Sequence, residues 1–425
     1  MNTVEKYKKY VNTAMVDKIQ PVVIEKASGA AITDTSGKEY IDCFSGIAVI
    51  NAGHGNEKVV DAAKAQIDKL VHCCSYVYYS QPTADLAEKL AQITPGRLQK
   101  TFFGNGGAEA IEGAMRLAKQ FTGKTEFIAL QGSFHGRSYA TLSVTGNVAR
   151  KRRGGPYMVG CHFLPAPYCY RCFFELKYPE CKLRCARALE DIIRFNTYDS
   201  VAAFVTEPLL GEGGIITPPD DYFLEIDKVL KNHQILLLVD EVQTGFSRTG
   251  KMFGIEHYGV EPDIMVMAKG IADGFPLSAF IAREEIADSF KPGDHLSTFG
   301  GNPVSCAAGL ANIEYMEEQK LADQALKKSE FLKAQLESLK TKYKMIGEIR
   351  GKGLMIGIEL VRDQNKTPAN TEATKIRDFC LEQGLLIGQG GVFGNVLRIQ
   401  PPLVISQKQM DGVMKVLNEA FGKIM

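Results

Sequence analysis

Four stretches place reactive side chains directly behind apolar runs. "DIMVMAKG" ends near Lys269, and "ILLLVDEVQTG" carries Asp240 and Gln243. "AAFVTEPLLGEGG" carries Glu207 and Glu212, and "FIALQGSFHGR" carries Phe134, His135 and Arg137. A lysine at the rim of a core is an unusual choice, because desolvation penalises its ammonium form. A lysine so disfavoured as a cation is a nucleophilic amine and a proton acceptor. Taken singly, each residue has a plainer explanation. A turn lysine is usually solvated, a carboxylate after a strand usually caps a helix, and Phe134 suits a core. Their joint occurrence is what points to chemistry.

A fifth stretch, "FFGNGGAEAIEGAMRLAKQ", puts Gly104, Gly106 and Gly107 ahead of a predicted helix over Ala108–Gln120. Free backbone N–H groups and the positive end of the dipole make a helix start a phosphate site. The pattern matches neither the dinucleotide fingerprint nor the Walker loop, and alone it describes only a tight turn. Combined with the other four stretches it suits pyridoxal 5'-phosphate (PLP). The lysine would take the aldehyde, a carboxylate would face the ring nitrogen, an aromatic would cover the ring, and the helix start would hold the phosphate.

The elements expected to position these residues alternate between helix and strand from about 60 to 310. Lys58–Leu70 and Gln81–Ile93 have helical apolar spacing, and apolar runs at Phe127–Leu130, Val201–Thr206, Ile235–Val239, Ile264–Met267 and Leu277–Ile281 read as strands. Continuous rather than alternating apolar runs indicate strands covered on both faces, as in a mostly parallel sheet. Ligands of such sheets bind beyond the carboxyl ends of the strands, where the reactive residues fall. "GAAITDTSGKEYIDCFSG" suggests an N-terminal hairpin, and Asn312–Lys342 suggests one or two long amphipathic helices. "IGEIRGKGLMIGIELV" and "NVLRIQPPLVI" read as strands, and a closing helix is expected over Gln407–Phe421. The expected division is 1–60 as the first part of a small domain, 61–310 as a large α/β domain, and 311–425 as the C-terminal part of the small α+β domain.

A net charge of +1 in 425 residues gives no electrostatic case for nucleic acid or an anionic membrane. No run reaches the roughly 18 apolar residues of a membrane span. The charged N-terminus shows no signal peptide, so a cytoplasmic location is expected. The cluster Arg150–Arg153 reads as a solvated loop. Four of the ten cysteines, Cys169, Cys172, Cys181 and Cys185, form C-x2-C-x8-C-x3-C. This spacing admits either a structural thiolate metal site or a loop of unliganded thiols, and no metal is assigned to the chemistry.

The chain resembles the class III aminotransferases of the fold-type I PLP enzymes, and within them the 4-aminobutyrate aminotransferase branch. The resemblance runs from about Gly29 to Phe421 and rests on "DEVQTGFSRTGKMF", "PDIMVMAKGIADGFPLSAF" and "STFGGNPVSCAAGL", in the family's order. It implies Lys269 as the Schiff-base lysine and proton shuttle, with Asp240 at the pyridine nitrogen. Gln243 would bond the phenolic oxygen, and Phe134 would cover the ring with His135 and Glu207 nearby. Gly107 and Ala108 would hold the phosphate, and Thr298 would reach the phosphate of the other subunit of a homodimer or tetramer. Arg398 and Glu212 would form a gate, in which the arginine clamps a substrate carboxylate or is neutralised by the glutamate. Arg137, Ile47 and Tyr76 would complete the substrate pocket. The implied activity is ping-pong transfer of an amino group from an ω-amino acid to a 2-oxo acid such as 2-oxoglutarate.

Three rivals share parts of this pattern. A racemase or epimerase would use the same lysine and aspartate but return the proton to the opposite face of the same carbon. A non-catalytic PLP-binding protein would not need the full reactive set. A phosphate-binding enzyme without PLP lacks its P-loop lysine here. Leu210, where the 4-aminobutyrate enzymes typically carry glutamine, and the cysteine-rich segment depart from the branch and leave the donor open.

Overall fold

The computed structural model describes residues 1–13 and 19–424. Two seven-stranded sheets organise them. One runs in the order Leu98–Gly104, Ser278–Arg283, Ile264–Met267, Leu236–Asp240, Val201–Thr206, Glu126–Leu130, Cys161–Leu164. Ser278–Arg283 is antiparallel to both of its neighbours, whereas the strands from Ile264–Met267 to Cys161–Leu164 are mutually parallel. The apolar runs explain this architecture. Phe127, Ala129, Val205, Leu238 and Val266 enter one core. Their alternates Ile128, Leu130, Phe204, Val239 and Met265 enter another. A strand's period of two therefore places a core on each face, and no polar face is left to alternate with.

The second sheet joins the two ends of the chain. Glu39–Cys43 pairs in parallel with Leu385–Gly390, and the order is Ile24–Ser28, Ala31–Asp34, Glu39–Cys43, Leu385–Gly390, Val396–Ile399, Met355–Leu360, Ile346–Lys352. The expected hairpin is present, and Asp34 Oδ1 fixes its turn by accepting the N–H groups of Ser36 (2.8 Å) and Lys38 (3.1 Å). This is the fold-type I arrangement: a large domain on a mostly parallel sheet, and a small α+β domain from both ends.

Several boundaries shift for local reasons. The strand expected over "NVLRIQPPLVI" ends at Ile399, because Pro401 and Pro402 have no N–H to donate. Asn312–Lys342 resolves into two helices, Pro303–Glu318 and Leu321–Lys342, broken at Lys320 with φ +50°. The first begins well before Asn312, with Asn302 capping Val304 and Ser305. Its small residues, among them Ala308 and Ala311, are buried, and its closest helical neighbours are Glu57–Lys69 and Gln81–Ile93. The proposed boundary at 310 falls inside this helix.

Two features tie the second sheet to the loops behind the first. Arg248 is fully buried, and burial pushes it down to about 9. Its Nη2 donates to Asn51 Oδ1 (2.6 Å) and its Nη1 to the carbonyls of Leu354 (3.1 Å) and Pro401 (2.5 Å). Residues Ser45, Gly46, Ile47 and Ala48 form one left-handed turn, with φ of +51°, +61°, +72° and +57°. Asp42 Oδ1 holds the turn by accepting the N–H groups of Phe44 and Ser45 (both 2.8 Å), and Ser45 Oγ donates to the carbonyl of Gln400 (2.6 Å). No helix among the described residues is long and apolar enough to cross a membrane.

Candidate active site

Asp240 closes strand Leu236–Asp240 and is buried. Its Oδ2 lies 2.7 Å from His135 Nδ1, and its Oδ1 accepts the N–H of Val242 (3.0 Å). The other ring nitrogen of His135 is buried without a partner. Glu207, one residue past the neighbouring strand, is also buried and accepts the N–H groups of Phe134 (3.0 Å) and Gly211 (2.8 Å). Burial raises its carboxyl to about 7; Asp240 adds to the rise and His135 opposes it. In this chain Glu207 thus braces two loops, one carrying Phe134 and the other Glu212.

Lys269 opens a short turn, Lys269–Ile271, directly after strand Ile264–Met267. Its backbone is left-handed, φ +47°, which is uncommon for a residue with a Cβ and typical of held functional positions. Burial pushes its amine below the ordinary lysine range, against the attraction of Asp240 and Glu207; Arg398 pushes the same way as burial and Glu212 resists it. The structure therefore brings Asp240, Glu207, Glu212 and Arg398 within electrostatic reach of Lys269.

Gly107 opens the helix Gly107–Thr122, and no side chain caps that start. A Cβ on Gly107 would lie 3.2 Å from Val242 and 3.8 Å from Ala268, so this uncapped end abuts the loops after Asp240 and before Lys269. Its N–H groups, the Asp240 carboxylate and the Lys269 amine fit the phosphate, ring nitrogen and aldehyde of PLP. Gln243 is buried, and its Oε1 lies 3.4 Å from Gln400 Nε2.

Arg398 is buried, its guanidinium 5.8 Å over the ring of Phe44. Its Nη1 lies 3.6 Å from Glu212 Oε2, and both Nη1 and Nε have no hydrogen-bond partner. Arg137 is exposed and lies 5.5 Å over Phe134, and Ile47 sits half-buried in the left-handed turn. The remaining two expected residues are Tyr76 and Thr298. The Tyr76 hydroxyl both donates to Phe103 O (2.9 Å) and accepts from Phe103 N (2.6 Å), with its ring stacked on Phe102, so it packs the scaffold. Thr298 lies on the exposed surface beside exposed Leu296 and Phe299.

Arg150 and Phe44 were not legible as site residues. The solvated-loop reading of Arg150–Arg153 fails for Arg150, which donates from Nε to Glu212 Oε1 (2.8 Å) and also from Nη2. Only the pairing across 62 positions reveals this, and nothing local to the basic run signals it. Cys169, Cys172, Cys181 and Cys185 are free and line one cavity of about 20 Å³. Burial, reinforced by neighbouring thiols, raises Cys169 to about 11 and Cys185 to about 12. Among the described residues no group of three or more His, Cys, Asp or Glu is placed to hold a metal ion.

Glu241, next to Asp240, is fully buried and accepts the N–H groups of Gly254 (2.9 Å) and Ile255 (2.7 Å). Burial raises its carboxyl from 4.5 to about 7. Between those values the folded chain holds a proton that the unfolded chain releases, so stability falls as pH rises through the window. Glu241→Gln should flatten this fall by an amount on the order of 1–3 kcal/mol. Urea midpoints at pH 5 and pH 7.5 measure it, and an unchanged slope would refute the assignment.

A mostly parallel sheet with a desolvated lysine and a buried aspartate at neighbouring strand ends, beside an uncapped helix start, defines a PLP enzyme of fold type I. The chain belongs to the class-III aminotransferase family, whose model matches residues 12–421. It is 40% identical over 423 residues to a leucine/methionine racemase of Thermococcus litoralis, covering 99% of this chain and 95% of the relative. It is 42% identical to an acetylornithine aminotransferase of Methanosarcina mazei, with 94% and 92% covered. It is 36% identical to the 5-aminovalerate aminotransferase of Pseudomonas putida, with 96% and 95% covered. An amine transaminase structure in its PLP-bound form, from an uncultivated Pseudomonas species, superposes with TM-score 0.91 at 33% identity, covering 97% and 98%. The resemblance read from the motifs holds for the family, and these three relatives differ in substrate, none being named for 4-aminobutyrate.

Proposed function

We propose that this enzyme moves an amino group from an ω-amino acid of the 4-aminobutyrate type to a 2-oxo acid, first of all 2-oxoglutarate, by a ping-pong mechanism. The observation that carries this reading is Arg398, buried beside Lys269 with two unpartnered nitrogens and a carboxylate, Glu212, 3.6 Å away. A buried guanidinium with free donors favours a planar carboxylate, bound through two bonds. PLP, when bound, supplies the electron sink for charge developing on the carbon that bears the substrate nitrogen. Lys269, disfavoured as an ammonium, takes the proton from that carbon and delivers it elsewhere. Asp240, oriented by His135, presents its carboxylate to the ring nitrogen. The unpartnered N–H groups of the helix start at Gly107 and Ala108 hold the phosphate. Arg137 takes the far carboxylate of a dicarboxylate acceptor, and Ile47 lines the recess.

The protein is proposed to work in the cytoplasm as a homodimer, with Thr298 of each copy reaching the other's phosphate. Arg398→Lys is expected to raise KM for 2-oxoglutarate by roughly tenfold to a hundredfold with a smaller change in kcat, because one ammonium cannot replace a forked donor. Steady-state kinetics with varied acceptor decide it. An unchanged KM would remove the clamp from the account.

The second reading is a racemase or epimerase, supported by the 40% identity to a leucine/methionine racemase. Incubating L-leucine or L-methionine with the enzyme and no oxo acid separates the two. Racemisation without pyridoxamine phosphate supports the isomerase. Pyridoxamine phosphate formed from 4-aminobutyrate or 5-aminovalerate supports the transaminase.

A further inference from the structure

Glu212 has two guanidinium neighbours but bonds to only one of them. Its Oε1 accepts twice from Arg150, at 2.8 Å from Nε and also from Nη2. Its Oε2 stands 3.6 Å from Arg398 Nη1, too far for a hydrogen bond. The Arg398 nitrogens Nε and Nη1 are buried and unpartnered, in a residue only 5% exposed. Two arginines thus share one carboxylate, and the surplus positive charge lies on the deeper of them. Leaving a buried cation unpaired is costly, so the arrangement favours an incoming anion at Arg398.

The backbone fixes Arg150 in this role. It ends the turn Val148–Arg150, which Asn147 caps through Ala149 N (3.2 Å). The preceding Asn147 N–H and Gly146 N–H are bound by the carbonyl (3.0 Å) and hydroxyl (3.1 Å) of Ser133. Gly146 packs so closely on the end of strand Glu126–Leu130 that a Cβ there would come 2.0 Å from Leu130 O. Arg150 is therefore presented from the adjoining strand end and does not hang from a free loop.

We propose that Arg150 is a specificity-determining residue that holds Glu212 off Arg398, so that the resting site is biased toward substrates with a carboxylate next to the reacting carbon. This deepens the proposed function and rests on its carboxylate clamp. An α-amino or 2-oxo acid finds Arg398 ready. An ω-amino donor, whose reacting carbon bears no carboxylate, must first draw Glu212 away from Arg150 to neutralise Arg398. Arg150 is a positioning residue here, because it acts through Glu212.

The test is titration calorimetry of the holoenzyme with glutarate, an unreactive dicarboxylate, together with kcat/KM for 4-aminobutyrate. In Arg150→Met the freed Glu212 should pair with Arg398. Glutarate affinity should fall roughly tenfold, about 1.4 kcal/mol, while kcat/KM for 4-aminobutyrate rises relative to wild type. The double variant Arg150→Met/Glu212→Gln should recover glutarate binding to within about twofold of wild type. Unchanged glutarate binding in Arg150→Met overturns the proposal. So does failure of the double variant to recover, which would mean that Arg150 acts by its own charge. A wild-type enzyme that turns over but does not bind glutarate overturns the clamp itself, and the Arg150 proposal with it.

Discussion

Lys269→Ala is expected to lower turnover by at least about 10⁴-fold, whichever amino donor is used. Proton transfer by a positioned base is commonly worth about 10² to 10⁴, and this residue is also the amine proposed to meet the cofactor aldehyde. No neighbour can take over. Besides Lys269, the groups found to act on its charge are Asp240, Glu207, Arg398 and Glu212, and none of them is an amine. Borohydride reduction of the wild type followed by peptide mapping should label residue 269, and the variant should take no label. A Lys269→Ala enzyme that retained more than a few per cent of its activity would dismantle the assignment, since the other residues matter only in relation to that nitrogen.

Asp240→Asn comes next in size, with an expected loss of roughly 10³-fold in kcat on the scale of a removed electrostatic stabiliser. The substitution keeps the shape and the bond from the Val242 N–H but removes the charge proposed to face the ring nitrogen. It also reverses the logic at His135, whose Nδ1 lies 2.7 Å from Asp240 Oδ2. An amide nitrogen placed there would donate rather than accept. Stopped-flow half-reactions with a single donor measure the effect on the proton-transfer step. Retention of the wild-type rate would show that the aspartate only supports the histidine. Glu207, raised to about 7 beside it, offers no substitute, because it is already committed to the N–H groups of Phe134 and Gly211.

Much of this site was legible because the strands announce their own ends. Val201–Thr206 and Ile264–Met267 begin and end where the apolar runs do, so the polar residue that follows each had to lie at the carboxyl edge. The start of helix Gly107–Thr122 was readable for a local reason too, since Gly104, Gly106 and Gly107 stand together at it. What escaped is non-local. Arg150 gains its meaning from a glutamate in another loop, and Phe44 from an arginine near the other end of the chain. A hydroxyl's partner is equally silent in the sequence. Both hydrogen bonds of the Tyr76 hydroxyl, for example, go to the backbone of Phe103. Helix ends moved where small residues, such as those of Pro303–Glu318, pack by closeness rather than by a wide apolar stripe.

The left-handed turn at Ser45–Ala48 has a bearing on when this part of the chain can settle. Each L-residue with a Cβ held there costs roughly 1–2 kcal/mol, so Ser45, Ile47 and Ala48 would relax if left alone. One of the restraints on them is the Gln400 carbonyl, some 355 positions later. A chain still emerging from the ribosome has residues 45–48 and their local restraint Asp42, but not that acceptor. The turn should therefore reach its final shape only with the last strands of the polypeptide.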